Sequence, residues 1–488
     1  MKKIFQKKCI NEALECAKNG NSLKRSIGPV GLTIMGVGGI IGAGIFIVTG
    51  VASASSGPAL IVSFIIAAIA CTFTALCYAE FASMIPIAGS VYTYTYITMG
   101  EIWAWIMGWI LILQYLIASA AVAIGWSSYV VALIGSFGIA LPAIISGPFG
   151  VNGSLINLPA VIIILILTAV LVRGAEESAK VNAIIVFVKV AVILLFITMG
   201  VSFINPANYH PFTPFGISGI FQGAAMVFFA YLGFDAIASA AEETKNPGKT
   251  IPIGIIGSLI ISSVLYIAVA AVMTGMVPYN LLNTASPVSF ALQYVGVQWA
   301  FTVITIGAIA GLTTVVLVNM FSKARIIFAM SRDGLLPKVF SNVKDGCQAP
   351  VASILLVGAM ATIIAAFFSL DSIFELVNVG ALTCFMVLAI AVIILRIQKP
   401  ELKRSFKCPL VPAIPILSII FSLALISQLK IHILQIFAIW LVVGIIVYFV
   451  YGKYRGLFEK PINGMEEENK NYESENEDYE PFEIPSSK

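Results

Sequence analysis

An all-α membrane protein is the fold class this sequence predicts, and three observations predict it. Of its 488 residues, 59% are hydrophobic and 11% charged, against roughly 25% charged in an ordinary soluble domain. Apolar runs of about 20 residues, the length that crosses the hydrocarbon core of a bilayer, recur from one end of the chain to the other. Lys and Arg collect in alternate connections between those runs, as they do where a chain crosses a membrane repeatedly.

In order along the chain, residues 1–29 read as a cytosolic amphipathic segment without a signal-peptide pattern, so the first span itself serves as the targeting signal. Twelve transmembrane spans follow, near residues 30–53, 59–83, 102–134, 157–174, 178–203, 218–241, 251–275, 297–322, 350–369, 373–395, 409–429 and 432–451. They group as spans 1–5 (30–203), spans 6–10 (218–396) and spans 11–12 (408–451). Residues 452–488 are acidic and poor in aliphatic side chains, which predicts a disordered cytosolic tail.

Charge placement supports the count. With the N-terminus inside, the basic residues of the N-terminal segment, of Arg173/Lys180, Lys245/Lys249, Lys323 to Lys344 and Arg396 to Lys407, and of the tail from Lys453 are all cytoplasmic. Of the 28 Lys and Arg only Lys189 and Lys430 lie elsewhere, and an odd number of spans would scramble the asymmetry. Both termini are then cytoplasmic. The net charge of +4 reflects this topology, so the chain's partner is the lipid bilayer and a nucleic-acid partner has no support. None of the seven cysteines falls in an outer loop, no zinc-type spacing occurs, and no cofactor motif is present.

Two spans break the apolar pattern. Span 1 contains "MGVGGIIGAGIFIVTG", in which Gly36, Gly38, Gly39, Gly42 and Gly44 crowd a stretch that should be helical. Span 6 reads "FFAYLGFDAIASAAEETKNPGKTIPIGI" and is interrupted by Gly233 and Asp235. Non-helical backbone at membrane depth is tolerated where it lines a cavity or is buried in protein. Five spans separate the two breaks, which relates spans 1–5 to spans 6–10 by inverted topology and puts a binding site where the breaks meet. Amides freed at Gly42, Ala43 and Gly44 favour a carboxylate, because they open the second half-helix of span 1. Carbonyls left at Ile40 in span 1, and at Phe229, Ala230 and Leu232 in span 6, favour an ammonium. One site then takes both ends of an α-amino acid. The alternative for the glycines is close helix packing, since Gly38 and Gly42 form a small-xxx-small pair.

The segments "GVGGIIGAGIF", "GFDAIASAAEETKNPGKTIPIGI" and "FAMSRDGLLPK" resemble signatures of the amino acid/polyamine/organocation (APC) superfamily, in particular the cationic amino acid transporter subfamily and its bacterial relatives. The likeness runs from about Gly31 to the end of span 12. It implies a LeuT-type fold, a 5+5 inverted repeat with broken helices 1 and 6 plus two extra helices. It also implies secondary active amino-acid transport by alternating access, in a cell membrane that for a bacterium is the inner membrane.

Lys189 lies near the middle of span 5, roughly 16 Å from either end at 1.5 Å per residue, too far for its stem to reach water. In bacterial relatives a lysine here occupies the place where sodium-coupled members bind sodium, beside carbonyls of span 1 and hydroxyls of span 8, matched by Thr313 and Thr314. The resemblance thus implies protons as the coupling ion; the alternative is a permanently charged lysine tying span 5 to span 1. Gln114 in span 3 stands where the close family typically has glutamate, which removes a carboxylate that could balance Lys189 or attract a cationic side chain. Asn319 in span 8 matches a side-chain-pocket position, or serves as an interhelical hydrogen bond. Asp235 belongs to the family motif and is expected to cap the second half of span 6. Glu80 and Glu242-Glu243 fall at inner span ends, where loop contacts explain them.

Other classes fit less well. The histidines are His210 and His432, both in outer connections, and no hydrolase or metalloprotease motif occurs, so an enzyme is not expected. No repeated pore loop suggests a channel. An obligate exchanger, or an amino-acid sensor on the same fold, would use the same residues.

Overall fold

The computed structural model of the chain describes residues 7, 27–85, 90–150, 153–173, 179–235, 237, 244–342, 350–368, 370–402 and 404–454. Most of the N-terminal segment, the pair Glu242-Glu243 and the acidic tail from residue 455 lie outside the described residues. The described residues are helical apart from turns and two isolated β-bridges. The described residues up to 442 form one compact unit that contains every candidate site residue; of the second unit, the described residues 443–454 are helical.

The chain enters its first helix, α1 (Pro29–Ile40), with proline at a first-turn position, where its missing N–H is no loss. The helix stops at Ile41, whose backbone is extended (φ −73°, ψ 105°), and resumes with a single π-helical turn over Gly44–Val48 that runs into α2 (Thr49–Ser56). Gly57 (φ +61°) and Pro58 turn the chain into α3 (Leu60–Met84). Next come α4 (Ser90–Met99), α5 (Glu101–Ser136), α6 (Leu158–Val172) and α7 (Ala179–Gly200). The second interrupted segment is α8 (Gly216–Val227), which tightens to a 3-10 turn over Phe228–Tyr231 and leaves helical geometry at Leu232. Gly233, with φ +124°, makes that turn in a region that other residues rarely adopt. The remaining helices are α9 (Pro247–Met276), α10 (Pro287–Tyr294), α11 (Gln298–Arg332), α12 (Val351–Phe367), α13 (Leu370–Gln398), α14 (Ala413–Ile426) and α15 (Ile431–Tyr454).

Among the described residues, seven helical stretches are long and apolar enough to cross a membrane, the first being residues 29–84 taken together. Four more apolar helices, α6, α8 with its 3-10 turn, α12 and α14, are 10–17 residues long. Large apolar side chains such as Leu165, Phe187, Ile260 and Ile439 face outward, as a lipid environment requires.

One expectation needs correction. The charge pattern places Lys323 in a cytoplasmic loop after a span ending near residue 322, but α11 continues through it to Arg332 and buries it. The reason lies in α5. Ser119 on that helix accepts a hydrogen bond from the Lys323 ammonium, and the Tyr115 ring lies 5.5 Å from it, so the cation has local partners.

Ion pairs fasten the ends of the helices. Glu80, at the end of α3 and 2% exposed, accepts from Arg396 (2.7 and 3.0 Å), Arg404 (3.2 Å) and the Cys408 amide (2.8 Å). That contact agrees with its assignment to loop contacts. Lys430 is 2.9 Å from Glu375 of α13.

Candidate functional site

The two interruptions meet. A Cβ added to Gly44 would stand 2.3 Å from the Ala230 Cα, and one added to Gly233 would stand 2.4 Å from the Gly39 carbonyl oxygen. Two backbones pass at both places with no room for a side chain, so glycine is required there by the crossing itself. At Gly42 the obstacle would be the Val315 side chain of α11 at 2.7 Å. Close packing and interruption thus coincide at the same residues.

Tyr266 of α9 joins the two breaks. Its hydroxyl lies 2.7 Å from the Ile40 carbonyl oxygen and 3.0 Å from that of Ala230, and the residue is fully buried. Two carbonyls assigned to an ammonium therefore converge within reach of one donor, although their spans are about 190 residues apart in the chain. A neighbouring tyrosine, Tyr129 of α5, donates to the Phe46 carbonyl at 2.5 Å and holds the π-helical turn. Asn378 of α13 donates to the carbonyls of Ala225 (2.7 Å) and Met226 (3.1 Å), where the α-helix gives way to the 3-10 turn. Phe229 packs against Phe374 with ring centroids 4.8 Å apart. Beyond the break, Phe234 meets Tyr78 (5.8 Å) and Phe385 (5.3 Å).

Lys189 of α7 is 1% exposed. Its ammonium donates to the Gly38 carbonyl of α1 at 3.2 Å, and its stem lies against Gly311 of α11, where an added Cβ would come 3.0 Å from the lysine Cγ. The lysine therefore bridges span 1 and span 8 from span 5. The two threonines are engaged differently. Thr313 accepts from the Trp126 indole (2.9 Å) and donates to Ile309, whereas Thr314 donates to the Gly311 carbonyl (2.9 Å), one turn from the lysine stem.

Asp235 accepts a 2.5 Å hydrogen bond from the Tyr115 hydroxyl of α5. Its expected capping role falls on residues 236 and 238–243, outside the described residues. Gln114 is 3% exposed, and its side-chain oxygen has no hydrogen-bond partner among the described residues. Asn319 on α11 is half-buried.

A sequence model for the family described as amino acid permease matches residues 27–452, nearly the whole described chain. The chain belongs to the amino acid permease family. It is thus a transporter and not an enzyme, and its APC resemblance is correct. Relatives of this permease include the methylthioribose transporter of Bacillus subtilis (48% identical over 94% of this chain and all of that protein). Another is the branched-chain amino acid permease BcaP of the same organism (45%, covering 92% and 98%). A third is cationic amino acid transporter 4 of Mus musculus (38%, covering 79% and 62%).

The permease structure brings Ile40, Gly44 and Ala230 together and sets Lys189 against span 1. Sequence reasoning missed Tyr266, Asn378, Tyr115 and Lys323. Tyr266 carried a faint signal, a lone hydroxyl-bearing aromatic in the apolar run "SSVLYIAVAAVM". The others become functional candidates only once distant helices are brought into contact.

Proposed function

We propose that this permease takes up a small or medium neutral amino acid by alternating access, with protons as the coupling ion and Lys189 as their carrier. The observation that carries the reading is the convergence of the Ile40 and Ala230 carbonyls on the Tyr266 hydroxyl, at 2.7 and 3.0 Å. Carbonyls so arranged suit an ammonium, while the amides of Gly42, Ala43 and Gly44, opening the second half-helix of span 1, suit a carboxylate. Phe229 and Leu232 complete the carbonyl side, and Asn319 lines the side-chain end. Two inverted repeats of five spans each, followed by spans 11–12 and with both termini inside, remain part of this reading, since the two interruptions stand five predicted spans apart.

Gln114 supplies no negative charge for a cationic side chain. A thermal-shift panel of the twenty amino acids with methylthioribose, followed by competition against the strongest ligand, tests the reading. Alanine, serine, threonine or a branched-chain residue is expected to stabilise and displace better than arginine or lysine. Better displacement by arginine overturns the neutral preference, and stabilisation by methylthioribose alone overturns the amino-acid assignment. Obligate exchange is the second reading, favoured by the Lys189–Gly38 hydrogen bond, which can tie span 5 to span 1 without any proton change.

A further inference from the structure

Residues 137–157 connect α5 to α6 and lie between two predicted spans, yet they carry the composition of a span. No Asp, Glu, Lys, Arg or His occurs from Ile102 to Val172. The connection is described apart from residues 151 and 152. Five of its large apolar side chains, Phe137, Ile139, Ile144, Phe149 and Leu155, are 50–68% exposed. Its described polar side chains turn inward instead. Ser154 and Ser146 donate to the Ala143 carbonyl (2.6 and 3.3 Å), and the buried Asn157 accepts from Ser127 of α5 (2.6 Å). A contiguous apolar surface of this kind marks a place where something other than water is met.

The backbone of the connection is irregular but pairs with itself. The amides of Leu155 and Ile156 donate to the Ile144 carbonyl (2.9 and 3.3 Å), that of Gly150 to Ser154 (2.9 Å), and that of Ile145 to Pro142 (3.1 Å). Backbone close to hydrocarbon has to find its hydrogen bonds within the protein, and this one does.

Helix length names what covers the surface. α6 has 15 residues, about 22 Å at 1.5 Å per residue, against a hydrocarbon core of about 30 Å. Arg173 closes its inner end, so the shortfall of about 8 Å falls on the connection at its other end. α12, with 17 residues or about 25 Å, ends at the same place. The Asn157 amide donates to its Ala366 carbonyl (3.3 Å), and Phe367 and Phe368 beside it are 50% and 54% exposed. Along α6, Ile162, Leu165 and Ile166 carry the outward apolar band on into the membrane-facing surface.

We propose that the connection 137–157 is a lipid-binding segment, lying at the outer membrane–water boundary with its exposed Phe, Ile and Leu side chains among the acyl chains of that leaflet. It completes the crossing that α6 is too short to make. Because it carries no charge, it takes the acyl chains of any lipid and does not select anionic headgroups.

The test places a nitroxide, through p-acetylphenylalanine, at Ile144 or at Phe149 of the full chain in nanodiscs of phosphatidylcholine with and without phosphatidylglycerol. Ile166 on α6 is the lipid-facing control and Glu401 the aqueous one, both being exposed. Collision rates with oxygen, which concentrates in hydrocarbon, and with nickel-EDDA, which stays in water, are then compared by electron paramagnetic resonance. Labels at 144 and 149 should favour oxygen severalfold, as at 166, in both lipid mixtures. Both labelled sites lie on the surface, and either alone decides the result if the other fails to fold. Nickel-dominated collisions like those at 401 overturn the proposal by placing the loop in water. Low accessibility to both reagents overturns it by showing a protein surface, such as a second copy, in place of lipid. Oxygen preference seen only with phosphatidylglycerol overturns the claim that charge plays no part.

Discussion

Tyr266 and Gly44 show how single residues set the site. The tyrosine hydroxyl lies between carbonyls of two helices that end in the same gap, so its removal leaves those oxygens without their shared donor. Tyr266→Phe should weaken amino-acid binding about tenfold, or roughly 1.4 kcal/mol, with little change in the helical circular dichroism signal. Isothermal titration that returns wild-type affinity would show the hydroxyl to be dispensable. Gly44 is constrained by the Ala230 backbone, 2.3 Å from where a Cβ would sit. Gly44→Val should therefore separate the two breaks and abolish binding rather than slow transport, as equilibrium binding on folded protein would reveal. Unchanged affinity would mean that the crossing is not the site.

Among the elements, the apolar runs and the glycine-rich interruption were legible in the sequence, because a broken helix at membrane depth leaves a local signature of Gly and charge. Ile41 leaves helical geometry within the run that predicted it, and Leu232 does so one residue before Gly233. The end of α11 was not legible. A count of charges places Lys323 in water, since the residues that bury it, Ser119 and Tyr115, are contributed about 200 positions away. Tyr266 and Asn378 were missed for the same reason, their roles being contacts between helices and not patterns along one. Glu80 gives an element-scale prediction. Its carboxylate joins α3 to α13 and to the segment before α14 through two arginines, and removal of one partner from a buried pair typically costs about 3–5 kcal/mol. Glu80→Ala should lower the detergent-solubilised melting temperature by many degrees, whereas an exposed control such as Glu401→Ala should not. Equal melting curves would show the contact to be slack.

For the whole molecule, family membership and the meeting of two interrupted segments agree on a transporter, while ligand and coupling ion rest on a few side chains. Relatives of similar identity carry names as different as methylthioribose transporter and branched-chain amino acid permease, so overall similarity does not choose the ligand. Lys189 is where the driving force is decided. If its ammonium alternates between bound to Gly38 and deprotonated, the gradient enters through that contact, and the backbone groups at Gly42 and Ala230 bind ligand whether or not the lysine is present. The most direct measurement is uptake into proteoliposomes by wild type and Lys189→Ala, with imposed pH gradients in the presence and absence of sodium. Wild-type accumulation should rise with an inward proton gradient and ignore sodium, and Lys189→Ala should bind ligand yet lose accumulation above equilibrium. Wild-type uptake that follows sodium and ignores pH, or a Lys189→Ala variant that accumulates as steeply as wild type, would contradict proton coupling through this lysine.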